Sequence, residues 1–153
     1  MNAIASYFDE RALNWDDIAE PAGTKHIMMA KLAGCRQGLR VLDVGCGTGI
    51  MMQAYLDCGA AHITGIDLSR EMVEKAKAKF STDDRVSFIC GDVVEIEGDG
   101  VFDCIVMYNM YPHVIDKKPL VEAVHRLLVP GGRFLVAHGM GRDALNAHHH
   151  NVP

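Results

Sequence analysis

Residues able to do chemistry cluster most densely in Val41-Leu42-Asp43-Val44-Gly45-Cys46-Gly47-Thr48-Gly49-Ile50, a short apolar run that enters a turn with glycine at every second position. Without a β-carbon, glycine lets a chain leaving a buried strand reverse sharply into a helix and lets a ligand touch bare backbone N–H groups. A dinucleotide fingerprint, GxGxxG, would need its third glycine at position 50, where Ile50 stands. That mismatch counts against an ordinary dinucleotide.

Two carboxylates extend the pattern. Asp67 lies one strand-helix-strand unit after Asp43, and a carboxylate at the neighbouring strand end can accept hydrogen bonds from both vicinal hydroxyls of a ribose. It could instead serve only to start the next helix, a task Ser69 is also placed to do. Together with the glycine turn, the ribose reading points to an adenosine-containing cofactor. Asp92 carries the same two readings, ligand contact and turn residue. His113 suits a general base, with an unperturbed pKa near about 6.5, or a packing histidine at a helix start. His148, His149 and His150, with His138 and His113, could bind a metal or line a pocket; a histidine run at a chain end reads better as a solvated tail, and no metal is assigned.

Alternating strands and helices must hold these groups. Residues 2–17 mix Tyr7, Phe8 and Trp15 with charges, and Ile4, Phe8 and Ala12 fit helical spacing. This segment is either a helix packed on the domain or a lid over a ligand. Thr24 is expected to cap a helix through Leu32 that Gly34 ends. A helix is expected over 50–57, a strand over 62–67, a helix over 70–80 capped by Ser69, and a strand over 86–90. A nearly all-apolar strand over 102–108, a helix over 119–128, a turn at Pro130-Gly131-Gly132 and a strand over 133–138 follow. Such alternation implies right-handed crossovers and a doubly wound α/β parallel sheet, with ligands beyond the carboxyl ends of the strands. Polar residues gather at those ends: the glycine turn, Asp67, Asp92, Tyr108-Asn109 and His138.

Composition narrows the class. The 153 residues, 49% hydrophobic, suffice for one domain with a sizeable core. A net charge of -5 argues against a general electrostatic grip on nucleic acid. Cys35, Cys46, Cys58, Cys90 and Cys104 are odd in number and lack CxxC spacing, which fits buried free thiols in a reducing cytoplasm. No stretch approaches the about 20 apolar residues of a membrane span, and no signal-peptide pattern begins the chain. A soluble, cytoplasmic protein is expected.

Residues 41–49, VLDVGCGTG, then Ile66-Asp67-Leu68-Ser69 with Met72, and Phe88-Ile89-Cys90-Gly91-Asp92-Val93 resemble the first three motifs of the class I S-adenosylmethionine (SAM) dependent methyltransferases. Phe102-Asp103-Cys104-Ile105-Val106 and Leu127-Leu128-Val129-Pro130-Gly131-Gly132-Arg133-Phe134 resemble that family's fourth strand and the turn into its fifth, so the likeness runs over 41–138. The resemblance implies a Rossmann-like sheet of order 3-2-1-4-5 and SAM as cofactor. Asp43, Gly45, Cys46, Gly47 and Gly49 would frame the methionine end and Asp67 the ribose. Leu68 and Met72 would flank the adenine, with Gly91, Asp92 and Val93 at its edge. SAM has no pyrophosphate, so a glycine at position 50 is not required. Tyr108, Asn109 and His113 would lie beside the methyl group as candidate catalytic residues. The run is only loosely similar to the Asn-Pro-Pro-Tyr motif of amino-group methyltransferases, because proline does not follow Asn109, and no nucleic-acid base is inferred as acceptor.

The resemblance implies a SAM-dependent methyltransferase acting on an unidentified small molecule, organised as a helical lid or cap over 1–33, a SAM-binding core over 34–140 and a His-rich tail over 141–153. A non-catalytic or incomplete SAM-binding domain is the alternative, and a nicotinamide-dependent oxidoreductase a weaker third. Members of the family usually continue past the fifth strand into a helix and an antiparallel strand pair. That pair is expected to be lacking here, whether the chain is truncated or minimal, and the fifth-strand edge is expected to pair with a second copy in a homodimer or with the tail.

Overall fold

A strand covered on both faces must be apolar at consecutive positions, and Phe102–Tyr108, FDCIVMY, meets that demand. In the computed structural model, which describes residues 3–19, 21–141 and 143–144, this segment is β4. It is flanked by β1 (Arg40–Val44) and β5 (Leu128–Ala137), and the sheet continues from β1 through β2 (His62–Asp67) to β3 (Val86–Cys90). All pairings are parallel and the order is β3-β2-β1-β4-β5, the doubly wound arrangement expected from the sequence. The winding reverses between β1 and β4, which opens a crevice beyond their carboxyl ends.

Alternate residues of the sheet feed two cores. Cys104, Val106 and Tyr108 of β4 join Val41, Ile63, Met52 and Tyr55 on the face covered by α3 (Thr24–Leu32) and α4 (Met52–Asp57). Ile105 and Met107 join Leu42, Val44 and Ile66 on the other face. There α6 (Lys117–Leu127) buries Leu120, Val124 and Leu127, which recur at helical spacing. Against β2 and β3, α5 (Arg70–Lys79) buries Met72, Val73 and Ala76, and its cap is Ser69, whose Oγ accepts from the Met72 N–H. The N-terminal segment forms α1 (Ala3–Ala12) and α2 (Trp15–Ile18), with α1 packed on α5.

Local details differ from expectation where tertiary contacts outweigh propensity. Gly23, not Thr24, caps α3, and its N–H donates to His26 Nδ1 at 3.0 Å. α3 packs into the sheet's covering layer, with Ala30 and His26 buried, so it is separate from α1 and α2 although all three fall within 1–33. The glycine turn continues through Met51 and α4 starts only at Met52. Asp116 caps α6 by accepting from the Lys118 N–H, which leaves Pro119 in the first turn, where a missing N–H costs no helical bond. β5 begins at Leu128, and Pro130-Gly131-Gly132 is a bulge within it: Phe102 pairs with Leu128 but Cys104 with Arg133. β3 and β5 are the sheet edges, and among the described residues no strand follows β5. His148, His149 and His150 lie outside the described residues. No helix among those described is long and apolar enough to cross a membrane.

Candidate functional site

The crevice is a cleft of about 680 Å³ bounded by the carboxyl ends of all five strands. Gly45, Cys46 and Gly47 enter it from β1, Asp67 and Leu68 from β2, Gly91, Asp92 and Val93 from β3, Tyr108 and Asn109 from β4, and His138 from β5. Met72 of α5 and His113 complete the expected residues that line it, and Phe8 and Trp15 of α1 and α2 lie over it.

Two expected residues do not line the cleft. Asp43 is 2% exposed and sits behind the turn on the Tyr55 face. Burial pushes its carboxyl up to about 7, with the Tyr55 hydroxyl opposing the shift and Asp67 adding to it. Gly49, at φ 90°, donates its N–H to the Cys46 carbonyl and is packed so that a β-carbon would come 3.0 Å from the Phe80 ring. Both residues shape the turn from behind the lining of the cleft. Gly45 also needs its bare backbone, since a side chain there would collide with Met110.

Asp67 is the best-held polar group of the cleft. Its Oδ2 accepts from the Gly47 N–H at 2.8 Å and its Oδ1 from the Ser69 N–H at 2.9 Å. Burial raises its pKa, opposed by those same backbone donors. A carboxylate offers about four lone-pair sites, so acceptor capacity remains beyond these backbone donors. Asp92 performs its turn function, its Oδ1 accepting from the Val94 N–H at the start of the 3-10 turn Val93–Glu95, while still facing the cleft.

On the other side of β1 the cleft is aromatic. Tyr108 meets His26 edge-to-face at 5.3 Å. His113, in the 3-10 turn Tyr111–His113, meets Phe8 edge-to-face at 5.4 Å, and Phe8 in turn meets Trp15 at 5.6 Å. Asn109, at φ 58°, is the one non-glycine residue in the left-handed region among those described. Its N–H donates to the Ala137 carbonyl at 2.9 Å, and its Oδ1 accepts from the Gly139 N–H at 2.7 Å. This clamps the end of β4 to the end of β5.

Sequence reasoning missed the groups that hold the roof down. Asp9 Oδ1 accepts from Ser69 Oγ at 2.5 Å and from the Glu71 N–H at 3.3 Å. Asp16 Oδ1 accepts from Thr48 Oγ1 at 2.6 Å and Lys79 Nζ at 2.7 Å. Burial alone would raise Asp16, but the bonds from Lys79 and Thr48 bring its pKa below the usual value. Lys75 Nζ adds a bond to the Leu13 carbonyl at 2.7 Å. α1 and α2 are thus tied to the glycine turn and to the loop after β2. His26, 1% exposed behind Tyr108, was equally silent in the sequence; a histidine two residues into a helix carries no signal of its partners.

The methyltransferase-domain family matches residues 41–132. Over 105 residues the chain is 38% identical to the ubiquinone biosynthesis O-methyltransferase of Xylella fastidiosa, covering 65% of this chain and 42% of that protein. Over 100 residues it is 36% identical to the malonyl-[acyl-carrier protein] O-methyltransferase of Priestia megaterium, covering 65% and 36%. Among solved structures it resembles Haemonchus contortus phosphoethanolamine N-methyltransferase 2 in complex with S-adenosyl-L-methionine. The TM-score is 0.76 at 25% identity, over 97% of this chain and 39% of that one. The chain spans about two fifths of the length of the curated relatives it matches. The names of these relatives differ in what is methylated.

Proposed function

This chain belongs to the methyltransferase-domain family, and from that premise we propose that it transfers a methyl group from SAM to a small-molecule acceptor, leaving S-adenosylhomocysteine. The observation that carries this reading is the geometry of Asp67: backbone N–H groups of Gly47 and Ser69 fix the carboxylate at the wall of the cleft. A carboxylate held in that place can accept from the hydroxyls of a ribose. The glycine turn fits the same cofactor, because Gly47 brings bare backbone to the cleft beside Asp67.

SAM supplies a methyl group on a cationic sulfur. The chain's own residues bind and orient. Asp67 receives the ribose hydroxyls, and Gly45, Cys46 and Gly47 take the amino acid end. Leu68, Met72 and Val93 enclose the adenine, with Gly91 and Asp92 at its edge. Tyr108 and Asn109 border the acceptor, and His113 takes its proton. α1 and α2 act as a lid that excludes water, supported by the position of Phe8 and Trp15 over the cleft. β5, at one end of the sheet order, is the strand at which a second copy or the tail would pair. The five cysteines, all free thiols, support a reducing compartment such as the cytoplasm.

Thermal denaturation tests the cofactor. SAM and S-adenosylhomocysteine at a hundredfold excess over their dissociation constants should stabilise the chain by about 2.7 kcal/mol, and NAD should not. Stabilisation by NAD alone would overturn the assignment. Release of S-adenosylhomocysteine across a panel of acceptors tests the transfer itself.

A further inference from the structure

The two sides of the cleft differ in chemistry. Beyond β1, β2 and β3 lie carboxylates and bare backbone. Beyond β4 and β5 the lining is apolar and reaches solvent: Ile115 is 88% exposed, Ile18 70% and Met140 46%, and all three line the same opening. Large apolar side chains left this bare around one concavity mark a surface that a ligand covers. Polar groups on this side include the imidazoles of His113 and His138 and the hydroxyl of Tyr108, which can exchange hydrogen bonds with a neutral hydroxyl.

Charge decides further. Among the described residues, the cleft is lined by Asp67, Asp92 and Asp116 and by no lysine or arginine. On this side an anionic group would meet the Asp116 carboxylate, while Lys25, whose Nζ donates to the carbonyl of the cleft-lining Gly139 at 3.3 Å, already has a partner; such a group would lose hydration with little to replace it.

Resting on the methyl-transfer reading above, we propose that the acceptor is an uncharged hydroxyl compound with an apolar body: the hydroxyl lies among Tyr108, His113 and His138, and the body runs out between Ile18, Ile115 and Met140. A carboxylate- or phosphate-bearing acceptor does not fit this side.

Trp15, the only tryptophan of the chain, lines the cleft and reports occupancy through its emission. The full chain, saturated with S-adenosylhomocysteine, is titrated with 4-hexylphenol, phenol and 4-hydroxyphenyl phosphate. Each buried methylene is worth about fourfold in affinity, so 4-hexylphenol should saturate at a concentration more than about tenfold below phenol, and the phosphate should not saturate. In Ile115→Asn most of that preference should vanish, with phenol binding little changed. A phosphate that binds as well as phenol, or a hexyl chain that adds nothing, overturns the proposal. Denaturation of the same samples separates the two levels. If S-adenosylhomocysteine does not stabilise the chain, the methyl-transfer reading fails and this one with it. If it stabilises and the chain-length preference is missing, this proposal alone fails.

Discussion

The cleft's two sides are built in opposite ways. On the β1–β3 side each ligand-facing group is the residue that ends a strand or follows it directly, and backbone N–H groups hold it: Asp67 through Gly47 and Ser69, Asp92 as a cap for Val94. On the β4–β5 side, ring-to-ring contacts and one side-chain clamp on the backbone reach across long stretches of sequence. Phe8 meets His113, His26 meets Tyr108, and Asn109 reaches Gly139. Backbone anchoring fixes one geometry for one cofactor. Side-chain anchoring leaves the acceptor side free to vary, which accords with relatives whose names share a reaction and differ in acceptor.

The largest test of this contrast concerns a residue behind the anchored side. Asp43 has a folded-state pKa of about 7, raised by burial from 3.8. The native state therefore keeps a proton that the unfolded chain releases, and stability should fall as pH rises from about 4 to about 7 and then level off. The contribution is roughly 4 kcal/mol at its limit, at about 1.4 kcal/mol per pK unit. Urea denaturation at intervals across that range measures it. Asp43→Asn should make the profile shallower, leaving the share of Asp67, whose pKa burial also raises; an unchanged slope would assign the pH dependence elsewhere.

Next is Asp67→Ala, which would remove the two charge-assisted bonds to the ribose proposed above. At about 1.5 to 3 kcal/mol each, calorimetric affinity for S-adenosylhomocysteine should drop by about a hundredfold or more. Unchanged affinity would erase the distinction between the sides. His113→Ala should lower turnover by about a hundredfold and leave that affinity unaltered; equal losses in both would make His113 part of the cofactor side. The smallest effect falls on the tie that bridges the two. Asp16→Asn keeps an acceptor for Thr48 but loses the Lys79 ion pair, which is half exposed. It should cost under about 1 kcal/mol in stability while raising the collisional quenching of Trp15.

What the sequence made legible follows the same division. Strand positions, the Ser69 cap and the strand-end places of Asp67 and Asp92 were readable from local pattern, although the Gly47 N–H that holds Asp67 comes from the turn after β1. That Asp43 and Gly49 sit behind the cleft lining was not readable, because their surroundings, Tyr55 and the Phe80 ring, come from α4 and from the end of α5. The β5 start was misread because a Pro-Gly-Gly run looks like a terminator until β4 supplies the pairing that turns it into a bulge. Asp9 and Asp16 looked like ordinary surface acids in a mixed helix; their partners, Ser69, Thr48 and Lys79, lie in other elements.

Asn109 makes the freedom of the acceptor side concrete. One side chain, in a backbone conformation most residues avoid, joins the strand that carries Tyr108 to the strand that carries His138. It behaves as a hinge pin with a fixed angle. A change at this one joint would re-aim both rings together while Asp67 and the glycine turn stayed where they are, so a lineage could trade one acceptor for another without relearning its cofactor.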